Sequence, residues 1–315
     1  MTTPTMHEVY RARRMLAPHL SATPLLRSRV LSEQLGCELW VKYENCSPIR
    51  SFKARGGIYR LLTLPEQYAG VATASTGNHG QGIALGARIA GKPAVVVVPE
   101  GANPQKVAAI RDLGADLRVI GPDLATSNKA AREIAAAENL LYVEDGEDAA
   151  VMIGCATLTL EILEQLPDFD DLVLPTGGGN LIGAAGLVLG SVAPDVRLTA
   201  VQSDAAPSVQ VSWQAKSPTW VDLAETFAGG LSTNYPGAVT FEYWKDRVDR
   251  VDLVSEDALV DTAFTMLRAT GHLPEGAGAA ALAGVLADPD RYRGRTVVIL
   301  LSGSNAEARI LDRLP

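Results

Sequence analysis

The residue whose setting most invites covalent chemistry is Lys53, in the segment NCSPIRSFKARGG (45–57). Ser51 and Phe52 precede it near the start of a stretch with helical periodicity, and Gly56 and Gly57 permit close backbone approach. A lysine amine attacks an aldehyde when it has lost its proton or is already held as an imine, and a helix start beside an aromatic and small residues suits that state. Taken alone, the segment is better read as a lysine that snorkels at a helix end.

Two further segments place glycines where a strand turns into a helix. ASTGNHGQGIALGARIAG (74–91) should set the amides of Ser75 to Asn78 outward at a helix N-terminus, which is an anion site. The side chains of Ser75, Thr76 and Asn78 add donors suited to a carboxylate, pointing to substrate rather than to a phosphate. Plain N-capping also uses Ser, Thr and Asn, but requires neither Gly77 nor Gly80. In PTGGGNLIGAAG (175–186) three consecutive glycines let the backbone wrap an anion, and phosphate is the natural occupant. The dinucleotide pattern GxGxxG fails here, because after Gly177 and Gly179 the next glycine is Gly183, one residue late.

GARIAGKP (86–93) has the spacing of a nucleotide-binding P-loop as far as Lys92. Pro93 replaces the Ser or Thr that would hold magnesium, and the stretch runs from helix into strand, the reverse of P-loop order. VVILLSGSN (297–305) reads as a buried strand delivering Ser302, Gly303, Ser304 and Asn305 at its C-terminal end, where open α/β sheets place ligand contacts. By itself this turn serves nearly as well as a strand-to-helix cap.

The elements that must hold these segments alternate between helix and short, β-branched strand, which predicts an α/β protein with buried parallel strands. GVATA (70–74), AVVVVP (94–99), LRVIG (117–121) and LLYVED (140–145) are separated by helix-like stretches starting near Asn78, Asn103 and Asp123, a compact small domain over 70–146. LVLPT (172–176), RLTAV (197–201) and VVILL (297–301), joined by ELWVKYE (38–44), predict a larger sheet. The expected organisation is a large domain of 1–48 and 147–315, a link at 49–69 that carries the lysine, and the small domain inserted. Residues 205–250 hold Trp213, Trp220 and Trp244 among several Pro and Gly, and read as an irregular segment near a site or an interface.

With 315 residues, 47% of them apolar, the chain can bury a substantial core. Its formal charge of -8 offers no basic field to a phosphate backbone, so nucleic acid is not expected as a partner. The first fifteen residues lack an apolar signal core, and runs such as AVVVV (94–98) are too short to cross a bilayer, so a cytoplasmic protein without membrane attachment is expected. Cys37, Cys46 and Cys155 are an odd count without CxxC spacing and read as buried free thiols. The histidines, at 7, 19, 79 and 272, lack the i, i+4 pairing of a helical metal site, and no metal is expected.

In order along the chain, SFKARG (51–56), STGNH (75–79), GGGN (177–180) and SGSN (302–305) resemble the fold type II pyridoxal-phosphate enzymes, specifically their serine/threonine dehydratase and serine racemase branch. GANPQKVAAIRDLGADLRVIG (101–121) and PEGAGAAALAG (274–284) are also similar to that branch, so the resemblance runs from about Ala22 to Glu307. It implies two open, twisted, mostly parallel sheets with flanking helices, similar to tryptophan synthase β, with pyridoxal 5'-phosphate as cofactor and a small amino acid as substrate. Carried onto this sequence, Lys53 would hold the cofactor aldehyde as an imine and act as the base at Cα, with Phe52 packed against the ring. Asn78 would bond the ring hydroxyl, and Ser75, Thr76, Gly77, Asn78 and His79 would bind the substrate carboxylate. Ser75 and Thr76 would complete the catalytic set. Gly177, Gly178, Gly179, Asn180 and Leu181 would hold the cofactor phosphate through backbone amides, and Ser302 would face the pyridine nitrogen. A hydroxyl there does not force the pyridine to be protonated, which favours elimination over transamination.

The sequence departs from the family's pattern in four ways. Arg50 stands where many members have glycine, Asn180 where a fourth glycine is usual, and Ser304 replaces glycine in the terminal turn. Gln202 lies where cation-binding relatives have a glutamate, and Ser208 falls roughly where they have an aspartate. Loss of both carboxylates weakens any hard-cation site.

The reaction implied is removal of water from a 3-hydroxy amino acid such as L-threonine or L-serine, giving a 2-oxo acid and ammonia, with the cofactor phosphate protonating the departing hydroxyl. One alternative is racemisation, since Thr76 lies where racemase relatives use a serine hydroxyl, although the threonine methyl is awkward there. Another is dehydration of a bulkier phenylserine-like or hydroxyaspartate-like substrate. A non-catalytic binding protein on the same fold is a third, and the intact lysine and both anion loops count against it. The resemblance also implies a homodimer or higher homo-oligomer. The chain stops shortly after SGSN, so neither a C-terminal regulatory domain nor feedback by isoleucine is expected.

Overall fold

The computed structural model describes residues 3–306 and 308–312; Glu307, residues 1–2 and residues 313–315, which the expected domains and resemblance include, lie outside the described residues. The chain runs through α1 (Met6–Leu16), β1 (Leu25–Arg27), α2 (Arg29–Leu35), β2 (Glu38–Tyr43), α3 (Lys53–Leu62), β3 (Gly70–Ala74) and α4 (Asn78–Ala90). It continues with β4 (Ala94–Val98), α5 (Pro104–Asp112), β5 (Asp116–Val119), α6 (Leu124–Ala137), β6 (Leu140–Tyr142) and α7 (Ala149–Gln165). The remainder carries β7 (Asp171–Pro175), α8 (Asn180–Val192), β8 (Arg197–Ser203), α9 (Ser208–Ala215), α10 (Ala238–Trp244), β9 (Arg250–Val254), α11 (Glu256–Thr270), α12 (Gly276–Ala287) and β10 (Thr296–Leu301).

Six strands form one sheet in the order β1-β2-β10-β7-β8-β9, parallel throughout except where β1 pairs with β2. Four form a second, wholly parallel sheet in the order β5-β4-β3-β6. The fold is the α/β architecture of two mostly parallel sheets that the sequence implied. In the smaller sheet the unbroken valine run of β4 has a simple cause. Val96 and Val98 pack with Ala84 and Ile110 in one cluster, while Val95 and Val97 pack with Ala72, Ala131 and Leu140 in another, so neither side of the strand meets water. Asn103 and Asp123 cap α5 and α6 with their side-chain oxygens, as their positions foretold.

Two compact units are present, one of residues through Ser21 with Lys53–Thr157, the other of Ala22–Phe52 with the chain from Leu158 onward. This corrects the expected boundaries. Residues 3–21 belong with the small sheet rather than the large one, because Val9, Ala12 and Leu16 of α1 are buried and Tyr59 of α3 donates a hydrogen bond to Glu8 at 3.1 Å. The stretch 49–69 is not a link, since α3 is buried from Ala54 to Leu61 and is part of that unit's core. The far boundary falls inside α7 rather than at 146. Strands β1 and β9 carry weak sequence signals: two of three side chains in β1 are exposed, and β9 is interrupted by Arg250 and Asp252. Within 205–250 the short helices α9 and α10 bracket an irregular stretch. Cys46 is exposed, not buried, whereas Cys37 and Cys155 are buried, and none of the three forms a disulfide. No helix among the described residues is long and apolar enough to cross a membrane.

A polar knot lies in the core of the larger unit. Lys42 of β2 is fully buried, and its Nζ donates to Glu161 at 2.6 Å, to Gln165 at 2.7 Å and to the Thr23 carbonyl at 2.8 Å. Thr23 Oγ1 donates in turn to Glu44 at 2.6 Å. Removing the ammonium strands the Glu161 carboxylate away from water, so Lys42→Met should cost about 3–5 kcal/mol. Urea unfolding checks this: adding Glu161→Gln on that background should recover part of the loss, and a loss below about 1 kcal/mol would show that water solvates the pair.

Candidate active site

Lys53 opens α3, and α3 lies closer to its neighbours than side chains with a Cβ would allow. A Cβ built on Gly57 would sit 2.1 Å from the Gly82 carbonyl oxygen, one on Gly82 would sit 2.5 Å from the Lys53 carbonyl oxygen, and one on Gly86 would sit 2.4 Å from that of Gly57. Facing α7, a Cβ on Gly154 would lie 2.6 Å from the Arg55 carbonyl oxygen, and one on Gly56 2.8 Å from that of Val151. Backbone therefore meets backbone on both sides of the lysine helix, with side-chain atoms of Val151, Cys155 and Tyr59 also close on the α7 side.

Lys53 Nζ donates to the carboxylate of Asp145, and His79 Nδ1 lies 4.0 Å from the other oxygen of that carboxylate. Burial pushes the His79 imidazole below its ordinary pKa, and the opposing pull of Asp145 is smaller, so the ring is neutral near pH 7. Its buried Nε2 has no hydrogen-bond partner. Asn78 opens α4, with Gly77 as the cap residue. Ser75 Oγ accepts from the amides of Gly77 at 3.2 Å and Gly80 at 3.1 Å, while the Ser75 amide donates to the Val97 carbonyl at 3.2 Å. This corrects the expectation that every amide from Ser75 to Asn78 faces outward: Ser75 is still part of the strand ladder, and its hydroxyl folds over the turn. Thr76 and Asn78 are half-buried beside it.

In the other unit, the turn that leads into the lysine is stitched to the end of β10. Phe52 donates its amide to the Ser302 carbonyl at 3.0 Å, Ser51 bridges to Gly303, Ser304 donates to the Arg50 carbonyl at 3.0 Å, and Asn305 Nδ2 donates to the Ile49 carbonyl at 3.0 Å. The structure thus brings SF and SGSN together in one backbone patch, with Phe52 and Ser302 both buried. Arg50 within it has φ +54, the left-handed conformation that glycine adopts without strain.

The glycine turn after β7 is the second feature of this unit. Gly179 has φ +90 and caps α8, which begins at Asn180; Asn180 and Leu181 are buried. A Cβ on Gly177 would lie 2.5 Å from the Gly230 carbonyl oxygen, and one on Gly179 2.7 Å from Trp244 Nε1. The fully buried Gln202 braces the turn: its Nε2 donates to the Gly177 carbonyl at 3.4 Å and Ser208 Oγ at 3.3 Å, and its Oε1 accepts from the amides of Val209 at 3.1 Å and Gln210 at 3.3 Å. Gln202 and Ser208 thus meet the turn through neutral hydrogen bonds. Among the described residues no group of three or more His, Cys, Asp or Glu side chains could hold a metal ion.

A glycine turn ending in a helix N-terminus presents backbone N–H groups to an anion, and a phosphate suits such a turn, where a Cβ on Gly177 or Gly179 would collide. A lysine whose backbone is immobilised suits attachment to an aldehyde. Residues 16–303 match the family described as pyridoxal-phosphate dependent enzyme. The chain belongs to this family. Its cofactor is pyridoxal phosphate. This pyridoxal-phosphate enzyme is 36% identical to the L-threonine ammonia-lyase of Thermotoga maritima, over 98% of this chain and 78% of that one. Among solved structures it is similar to the processed form of threonine deaminase isoform 2 from Solanum lycopersicum, with a TM-score of 0.91 and 27% identity over 99% of this chain and 94% of that one. Maize serine racemase superposes with a TM-score of 0.93 and 25% identity over 99% and 97% of the two chains.

Sequence reasoning missed Asp145 and the bracing role of Gln202. The signal for Asp145 was present: it ends the segment LLYVED, just past the C-terminal end of a parallel strand, where α/β sheets gather ligand contacts. The left-handed position of Arg50 yields a direct test. Arg50→Gly should stabilise the protein by about 1 kcal/mol, read as a higher urea midpoint at unchanged slope. A lower midpoint would show that the exposed arginine compensates for its backbone strain.

Proposed function

We propose that this pyridoxal-phosphate enzyme removes water from a 3-hydroxy amino acid, L-threonine or L-serine, to give a 2-oxo acid and ammonia. The observation that carries the reading is its similarity, along almost the whole chain, to an L-threonine ammonia-lyase. When bound, the cofactor supplies an electron sink for the charge that develops at the substrate Cα. Lys53 would hold the cofactor and, when not bonded to it, would accept the Cα proton at Nζ. Its backbone cannot drift, so only side-chain rotation separates the two tasks.

The turn from Gly177 to Leu181 would hold the phosphate through its amides, and Phe52 would pack against the ring. Asn78 would bond the ring hydroxyl, and the Ser302 hydroxyl would serve the pyridine nitrogen. Ser75, Thr76, Gly77, Asn78 and His79 would hold the substrate carboxylate. Ser75 Oγ already accepts two amide hydrogens, which leaves its own proton to donate. Racemisation is the second reading: Thr76 would have to carry a proton on the opposite face, and its methyl group crowds that task. We extend the proposal to a cytoplasmic homodimer or higher homo-oligomer, for which the exposed Trp220, stacked on Tyr235 at 5.6 Å, supplies an apolar contact.

Borohydride reduction of the holoenzyme followed by peptide mapping should place the cofactor on the peptide that contains Lys53. Lys53→Ala should lower 2-oxo acid release by about a thousandfold or more, and a wild-type rate from that variant would refute the assignment. D-serine formed from L-serine faster than pyruvate would favour racemisation.

A further inference from the structure

Trp244 is fully buried, and its indole Nε1 finds no hydrogen-bond partner among the described residues. A donor sealed from water is costly to leave unmatched, so what that N–H faces matters. It faces the glycine turn: the atom nearest a Cβ built on Gly179 is Trp244 Nε1, at 2.7 Å. The ring is held in this place. A Cβ on Gly186 would lie 2.1 Å from the Tyr243 carbonyl oxygen, which pins α10 against α8, and Phe241 meets the indole edge-on with ring centroids 4.8 Å apart. Thr240 also lies against Gly179, 3.4 Å from the same built carbon, but its hydroxyl donates to the Gly237 carbonyl at 3.1 Å. The indole is therefore the uncommitted donor on this flank. On the other flank Thr233 Oγ1 lies 3.3 Å from a Cβ on Gly177 and 3.8 Å from one on Gly178. Both residues come from 205–250, the segment that the glycine motif leaves unexplained.

We propose that Trp244 and Thr233 are cofactor-binding residues, whose indole N–H and hydroxyl donate to the phosphate at the glycine turn. This deepens the phosphate reading of that turn and rests on it. A phosphate carries several strong acceptor oxygens, and hydrogen bonds to such an anion are among the strong ones. Folding has already stripped the indole N–H of water, so meeting a phosphate oxygen costs it no further hydration. The two side chains would thus add to the backbone amides without adding charge.

The test titrates the full chain, stripped of cofactor, with pyridoxal 5'-phosphate and with pyridoxal, which lacks the phosphate, and reads the cofactor absorbance. The ratio of the two affinities cancels any general loss of packing in a variant. Trp244→Phe should lower that ratio about tenfold and Thr233→Val about threefold, with pyridoxal binding unchanged. An unchanged ratio in either variant overturns that residue's part. In the wild-type protein the Trp244 indole proton should move downfield in the NMR spectrum with pyridoxal 5'-phosphate and remain fixed with pyridoxal. Its signal is identified by loss in Trp244→Phe or, should that variant not fold, by elimination with Trp40→Phe, Trp213→Phe and Trp220→Phe. An indole proton that responds equally to both ligands, or to neither, overturns the proposal for Trp244. If the wild-type chain binds pyridoxal as tightly as its phosphate, the turn holds no phosphate, and the underlying reading fails together with the proposal.

Discussion

Everything the lysine does depends on contact between bare backbones. At Gly57, Gly82 and Gly86 on one side of α3, and at Gly56 and Gly154 on the other, a single added carbon would fall within 3 Å of a carbonyl oxygen. Helices separated by side chains can slide as rotamers adjust, but helices touching through carbonyl oxygens and Cα atoms have little that is soft to compress. The amine at the head of α3 is thus held by a rigid post and retains only the freedom of its own side chain.

Charge is handled sparingly in each unit. The glycine turn of the larger unit includes a glycine in the left-handed region and is braced by the neutral side chain of Gln202. In the smaller unit His79 is kept neutral by burial, while Asp145 is the carboxylate set against the lysine. Polar order elsewhere follows the same logic: the buried Lys42 is tolerated because every direction in which it could lose water supplies an oxygen.

Much of this was legible beforehand where physics acts locally. The valine run of β4, the caps Asn103 and Asp123, and the strand-to-glycine turns at Ser75 and Gly177 are each dictated by a few adjacent residues, and each lies where its pattern said. Domain boundaries were misplaced because α1 is defined by what it covers, and its cover, α3, lies far away in sequence. Strand β9 escaped because an edge strand need bury only part of its surface and can carry Arg250 and Asp252. Arg50 was a mere departure from a family pattern in the sequence, and only its φ showed that it occupies the left-handed region.

The sequence by itself determined the kind of chemistry: a lysine in SFK and two glycine turns, whose conformational permissiveness is a property of the residues and needs no partner to be read. Tertiary structure decided who stands beside whom. Asp145 and Gln202 are unremarkable in sequence because a carboxylate or an amide acquires meaning only from the group it faces. Those facing groups, Lys53 and the Gly177 carbonyl, lie many residues away and arrive by folding.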